Sequence, residues 1–336
     1  MTFRRVALGH WPTPFEPVPR LSAALGREIW LKREDLAGAA LGGNKIRQLE
    51  WLLGEALAEG ADSVLTTAGA QSNLCRALAG AAAKLGLACT LVLRGPAPPR
   101  HGNLLLDAVF GAEIRFVAAA DPWDPALAAA LEEAAASLRA RGHRPYAIHL
   151  PGASAPLAVL AWAIAAEELD ADWRTVGIDP GAIVVAAGSG LTAAGLALGL
   201  ARLGRRCQVR AVSVQQPARR MGPWMAEVAR RAAERAGWRA LPSLPLVVDD
   251  AWIGPGYAVP SEASLAALLR VARHEGVALD PAYTGKAMAG LIGALGRGAL
   301  PEGPVVFLHS GGLPGLFAAA DSVAAAADAT REPATA

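Results

Sequence analysis

IVVAAGSGLTAAGLALGLA, residues 183–201, runs 19 residues without a charge. That is long enough to cross a bilayer as one helix. Its internal pattern argues otherwise. Gly188, Ser189 and Gly190 interrupt the run. The residues before them include a β-branched cluster, and those after them repeat Leu and Ala at helical spacing. The stretch therefore reads as strand, glycine loop and helix, not as a membrane span.

The same order recurs on both sides of it. DSVLTTAG precedes SNLCRALAGAAAKLG, CTLVLRG precedes NLLLDAVFG, and AEIRFVAA leads into an alanine-rich segment. VRAVSV follows the glycine-loop helix, and PVVFLHS precedes GLPGLFAAA. Strand-then-helix repetition predicts an α/β fold with parallel sheets covered by helices on both faces. After Ser72, Leu74, Leu78, Ala81 and Leu85 share one helical face, as core residues do. Residues 240–260, rich in Pro and Gly, read as a long ordered loop, and 328–336 as a frayed tail.

At 336 residues and 53% apolar, the chain suits one large or two ordinary domains. A net charge of +2 with no basic run gives no sign of nucleic acid as a partner. The three cysteines show no paired spacing, which fits a reducing cytoplasm, and the six histidines form no metal-ligand motif. The N-terminus lacks an apolar run of signal-peptide length.

Five places could carry chemistry. Lysine is scarce: Lys32, Lys45, Lys84 and Lys286 are the four present, and arginine supplies the other 28 basic residues. A lysine retained in GGNKIRQLE, residues 42–50, is a candidate for chemistry that needs a primary amine, although from this stretch alone a surface lysine at a helix start is the simpler reading. Ser72 and Asn73 open a helix whose free N–H groups suit a carboxylate, while plain capping by Ser72 is the simpler reading. Gly188–Thr192 could cradle a phosphate or form a tight turn; it matches neither the dinucleotide fingerprint nor the P-loop. Ser310 ends an apolar strand before two glycines, where open α/β sheets bind ligands. Two of the three tyrosines, Tyr257 and Tyr283, lie among glycines and prolines, away from helical stripes.

Taken in order, LKREDL, LGGNKIRQLE, GAQSN, GNLLLDAVFGAE, GSGLTAAGL, GPGYAVP, LDPAYTGKAMAGL and FLHSGGLPGLFA resemble the pyridoxal-phosphate enzymes grouped as D-cysteine desulfhydrase and 1-aminocyclopropane-1-carboxylate (ACC) deaminase. The resemblance covers nearly the whole chain. It implies a tryptophan synthase β-like fold of type II: two open, twisted parallel-sheet α/β domains with the cofactor in the cleft between them. The smaller domain would span residues 49–157, and the larger would join 1–48 to 158–336. It further implies pyridoxal 5'-phosphate held by Lys45 through a Schiff base, its phosphate cradled by Gly188, Ser189, Gly190, Leu191 and Thr192. Asn73 would bond the ring hydroxyl and Ser310 would face the ring nitrogen. Ser72 would hold the substrate carboxylate, with Tyr257 and Tyr283 flanking the substrate as acid–base or positioning groups.

By the same resemblance the partner is a small amino acid, and the assembly a homodimer. The chain has Thr284 and Ser310 where the deaminases have glutamate and leucine. It thus leans toward elimination of a β-substituent from D-cysteine, giving pyruvate, ammonia and sulfide. ACC ring opening is the alternative, and a cofactor-binding protein without efficient turnover is another. Leu74 and PGASAP at 151–156 depart from the family pattern, so the substrate pocket is expected to differ more than the cofactor site.

Overall fold

The computed structural model describes residues 4–119, 121, 123–238 and 243–330. Ten strands are seen among them: β1 (Phe15–Pro17), β2 (Ile29–Lys32), β3 (Ser63–Gly69), β4 (Ala88–Arg94), β5 (Glu113–Val117), β6 (Pro145–Ile148), β7 (Ala182–Ala187), β8 (Gln208–Ser213), β9 (Leu246–Asp249) and β10 (Val305–Leu308). They form two sheets, ordered β1-β2-β10-β7-β8-β9 and β5-β4-β3-β6. All pairings are parallel except β1 with β2. β1 carries Pro17 and lies at an edge, where a missing N–H is tolerated.

Both sheets are covered on two faces, as the strand–helix repetition predicts. In the smaller sheet, helices Asn73–Leu85 and Pro125–Ala140 both pack on β3 and β4, and Leu65 and Val92 join the core of the second helix. In the larger, β7 is buried at all six positions between helices Leu191–Arg202 and Thr284–Gly296. The charge-free run at 183–201 is thus β7, a glycine loop and a buried helix. Among the described residues no helix is long and apolar enough to cross a membrane.

That helix crosses helix Ala155–Val176 on small residues. A Cβ at Gly195 would lie 2.4 Å from Trp162 Cβ, and one at Gly199 would lie 2.2 Å from the Ala163 carbonyl oxygen. Backbone cannot yield as a flexible side chain can. Gly199→Leu is therefore expected to lower unfolding free energy by roughly 1–3 kcal/mol despite the better helix former. Urea denaturation checks it; an unchanged or higher midpoint would contradict the close crossing.

The 240–260 segment differs from its reading as a loop. Leu246–Asp249 pairs in parallel with β8 as the edge strand β9. Its short β-branched run was masked by flanking prolines and glycines. Of the expected frayed tail, helix Ala320–Ala329 takes the first residues, and 331–336 lie outside the described residues.

Candidate functional site

The carboxyl ends of β3, β4 and β7 open onto a cleft of about 900 Å³, its mouth included. All eleven residues singled out from the sequence line it: Lys45, Ser72, Asn73, Gly188, Ser189, Gly190, Leu191, Thr192, Tyr257, Tyr283 and Ser310. They come from segments far apart in the chain, and parallel topology helps gather them, because all strands but β1 end on the same side of their sheet.

Lys45 opens helix Lys45–Ala58 after an unusual backbone run. Ala40, Leu41, Gly42 and Gly43 all have positive φ, at 50°, 63°, 61° and 101°. At Gly42 a Cβ would lie 2.2 Å from the Asp35 carbonyl oxygen, so no side chain fits. The helix is pinned two residues on. Arg47 donates to Glu34 (2.7 and 2.8 Å) and to Glu168 (2.8 and 3.0 Å). Lys32 joins the same buried cluster through Glu168 and Asp172, each at 2.6 Å. Asn44 accepts no capping bond; its Nδ2 donates to Thr192 Oγ1 at 2.9 Å, tying the lysine loop to the glycine loop.

Lys45 Nζ makes no hydrogen bond or ion pair among the described residues. Burial lowers its ammonium to about 8. The other lysines are committed or remote. Lys32 is held by carboxylates, Lys286 donates to the Ile253 and Gly256 carbonyls (2.7 and 2.8 Å), and Lys84 is exposed. Lys45 is the one lysine in the cleft.

The glycine loop has the form of an anion cradle. Gly190, at φ 81°, precedes helix Leu191–Arg202, and no side chain caps that N-terminus. Its first N–H groups lack intrahelical partners. Ser189 Oγ is buried without a partner, and so is Gln215 Oε1, while Gln215 Nε2 donates to the Gly188 carbonyl at 3.1 Å. At Gly190 a Cβ would meet Met225 Cγ at 2.7 Å, so glycine is required by space as well as by φ.

Ser72 caps helix Asn73–Leu85, accepting from Leu74 N and Cys75 N at 3.2 and 3.4 Å. Capping leaves its hydroxyl proton free. Asn73 Oδ1 accepts from Arg76 (3.2 Å) and Asn103 (3.0 Å), which fixes the amide and leaves its NH2 group free. Ser310 is buried beside Gly43, and its carbonyl accepts from Asn44 N at 3.0 Å.

The two tyrosines meet. Their hydroxyls are 2.5 Å apart and their rings cross edge to face at 5.9 Å. Burial raises both phenols, and for Tyr283 the neighbouring Tyr257 raises it further, so both stay protonated. Asp280 fixes Tyr283 by accepting from its backbone N at 2.8 Å. Lys286 holds the carbonyls at 253 and 256, and so the loop that presents Tyr257. Thr284 is not in the cleft: its Oγ1 donates to Asp280 Oδ1 at 2.7 Å and accepts from Asp280 N at 2.8 Å. The substitution that sets it apart from glutamate thus serves the turn.

Several lining residues were missed from sequence, among them Asn44, Arg94, Gln215, Leu127 and Leu150. Asn44 stood next to the lysine; the others carry no local signal. Among the described residues no group of His, Cys, Asp and Glu could hold a metal ion.

An amine of lowered pKa, an anion cradle with an orphaned hydroxyl, a free amide at Asn73 and a hydroxyl at Ser310 together fit pyridoxal phosphate. A family model described as pyridoxal-phosphate dependent enzyme matches residues 6–311. D-cysteine desulfhydrase from Klebsiella pneumoniae subsp. pneumoniae is 40% identical over 324 residues, 94% of this chain and 96% of that one. A crystal structure described as an ACC deaminase homologue superposes with a TM-score of 0.88 at 35% identity, covering 97% of each chain.

Proposed function

This chain belongs to the family of pyridoxal-phosphate-dependent enzymes, and on that premise we propose that it cleaves a small amino acid by β-elimination, with D-cysteine as substrate. The products are pyruvate, ammonia and sulfide. The observation that carries the reading is Lys45: the one lysine in the cleft, half-buried, unpaired among the described residues, and sharing that cleft with an anion cradle and the Ser72 helix start.

Pyridoxal phosphate, when bound, supplies an electron sink conjugated to the substrate α-carbon. Gly188–Thr192 hold its phosphate, Asn73 and Ser310 orient its ring, and Ser310, a neutral hydroxyl, leaves that sink moderate. Ser72 and the N–H groups of its helix bind the substrate carboxylate. Lys45 Nζ takes the α-proton. The Cβ–S bond breaks with its electron pair on sulfur, and the Tyr283–Tyr257 pair supplies the proton to it. Water then converts the released enamine to pyruvate and ammonia.

Support for elimination over ACC ring opening lies in the cleft itself, since no carboxylate lines it among the described residues. The test is kcat/KM for D-cysteine, L-cysteine and ACC on cofactor-saturated protein. D-cysteine should exceed ACC by at least about tenfold. ACC as the better substrate would replace this reading with ring opening. Turnover of none of them would rule out D-cysteine and replace it with an unusual substrate or with cofactor binding without catalysis.

The same reading divides the chain into a smaller domain, 49–157, and a larger one, 1–48 with 158–336. It places the protein in the cytoplasm, where the free, buried Cys75, Cys89 and Cys207 stay reduced. It also makes the protein a homodimer, supported by exposed Leu36, Leu41, Leu105, Val109, Leu313 and Phe317.

A further inference from the structure

Two cationic side chains line the cleft, Lys45 and Arg94, and no anionic one does among the described residues. The family reading accounts for the lysine and leaves the arginine without a task. Arg94 ends β4, directly opposite Gly69 at the end of β3. Its guanidinium carbon lies 4.9 Å from the centroid of the Tyr257 ring. Gly69 leaves the space for this stack: a Cβ there would be 3.1 Å from Tyr257 Cε1 and 3.5 Å from Arg94 Nε. Arg33, Arg47 and Arg210 are each bonded to carboxylates. Arg94 has no hydrogen bond or ion pair among the described residues, so its five N–H donors remain free for a ligand.

Position says which part of a substrate they meet. With the carboxylate at Ser72 and the leaving group beside the tyrosine pair, a cation stacked on Tyr257 faces the β-substituent. We propose that Arg94 is a specificity-determining residue that binds a negatively charged β-substituent, a sulfonate being the type case. A planar guanidinium matches two oxygens of such a group at once, and partial removal from water strengthens the pairing. This rests on the elimination reading above and goes beyond it by naming the class of side chain.

The experiment uses cysteate, with a charged β-substituent, and β-chloroalanine, with a neutral one. Both enantiomers of each are measured on wild type, Arg94→Ala and Arg94→Lys. Arg94→Ala should lower the ratio of kcat/KM for cysteate over β-chloroalanine by about 100-fold, chiefly through KM, and Arg94→Lys should restore part of it. A second reading needs no turnover. Calorimetric affinity of cofactor-loaded Lys45→Ala for cysteate should fall by a similar factor when Arg94→Ala is added, and affinity for alanine much less. Equal losses for charged and neutral ligands would reduce Arg94 to a prop for Tyr257 and overturn the proposal. If wild type consumes none of these amino acids and no D-cysteine, elimination fails, and the calorimetric comparison still decides the role of Arg94.

Discussion

Lys45→Ala should abolish turnover of D-cysteine while the protein still takes up pyridoxal phosphate. The two halves of that result come from different parts of the cleft. The glycine loop, with its orphaned Ser189 hydroxyl and free helix N–H groups, does not depend on Lys45. Nor does Asn73, whose amide is held by Arg76 and Asn103. The helix start also survives, because Arg47 anchors it to Glu34 and Glu168. What disappears is the one amine in reach. Removing a general base typically costs about 100- to 10,000-fold, and loss of the covalent attachment adds to it. No other lysine can substitute: Lys32 is locked between Glu168 and Asp172, Lys286 is bonded to two carbonyls, and Lys84 is on the surface. Equilibrium dialysis with the cofactor and pyruvate release read the two halves separately. Activity within tenfold of wild type would rule out the role given to Lys45.

Tyr283→Phe carries the second large effect. Its hydroxyl sits 2.5 Å from that of Tyr257, and the pair is the only phenolic acid in the cleft among the described residues. Without it the departing sulfur loses its proton source, and kcat should fall by about 100-fold or more with KM little changed. Stability should change little, because the turn is fixed by Asp280 through the backbone at 282–284 and the Thr284 hydroxyl, none of which involves the phenol. The pH dependence has a definite sign. Burial raises both phenols above their ordinary value, so the protonated form persists to higher pH than in a free tyrosine. The pair therefore adds no activity loss between pH 7 and 9. A Tyr283→Phe enzyme with wild-type kcat would remove the phenol from the proton path.

Much of this site could be read before folding is considered, and the reason is the parallel sheet. Each junction before a helix is local in sequence: the glycines at 42–43, 188–190 and 311–312 mark close turns, and Ser72 marks a helix start. The topology then brings such junctions to one edge. The features that escaped are those with no local mark. Arg94 is one of 28 arginines in the chain, and only the stack on Tyr257, from a distant loop, makes it a cleft residue. Gln215 matters through its bond to Gly188. Strand β9 is four residues long and takes its conformation from pairing with β8 more than from propensity. Thr284 marks the branch in the sequence because it stands beside Tyr283 where the deaminases have glutamate, yet a helix start turns adjacent side chains in different directions, and its hydroxyl goes to Asp280.

The central claim, that Lys45 bears the cofactor, is tested most directly by reducing the pyridoxal-phosphate-loaded protein with borohydride and mapping the labelled peptide by mass. The label should fall on Lys45, in the peptide that follows Gly42 and Gly43. Label on Lys32, Lys84 or Lys286, or protein that leaves the reduction unlabelled, would contradict it.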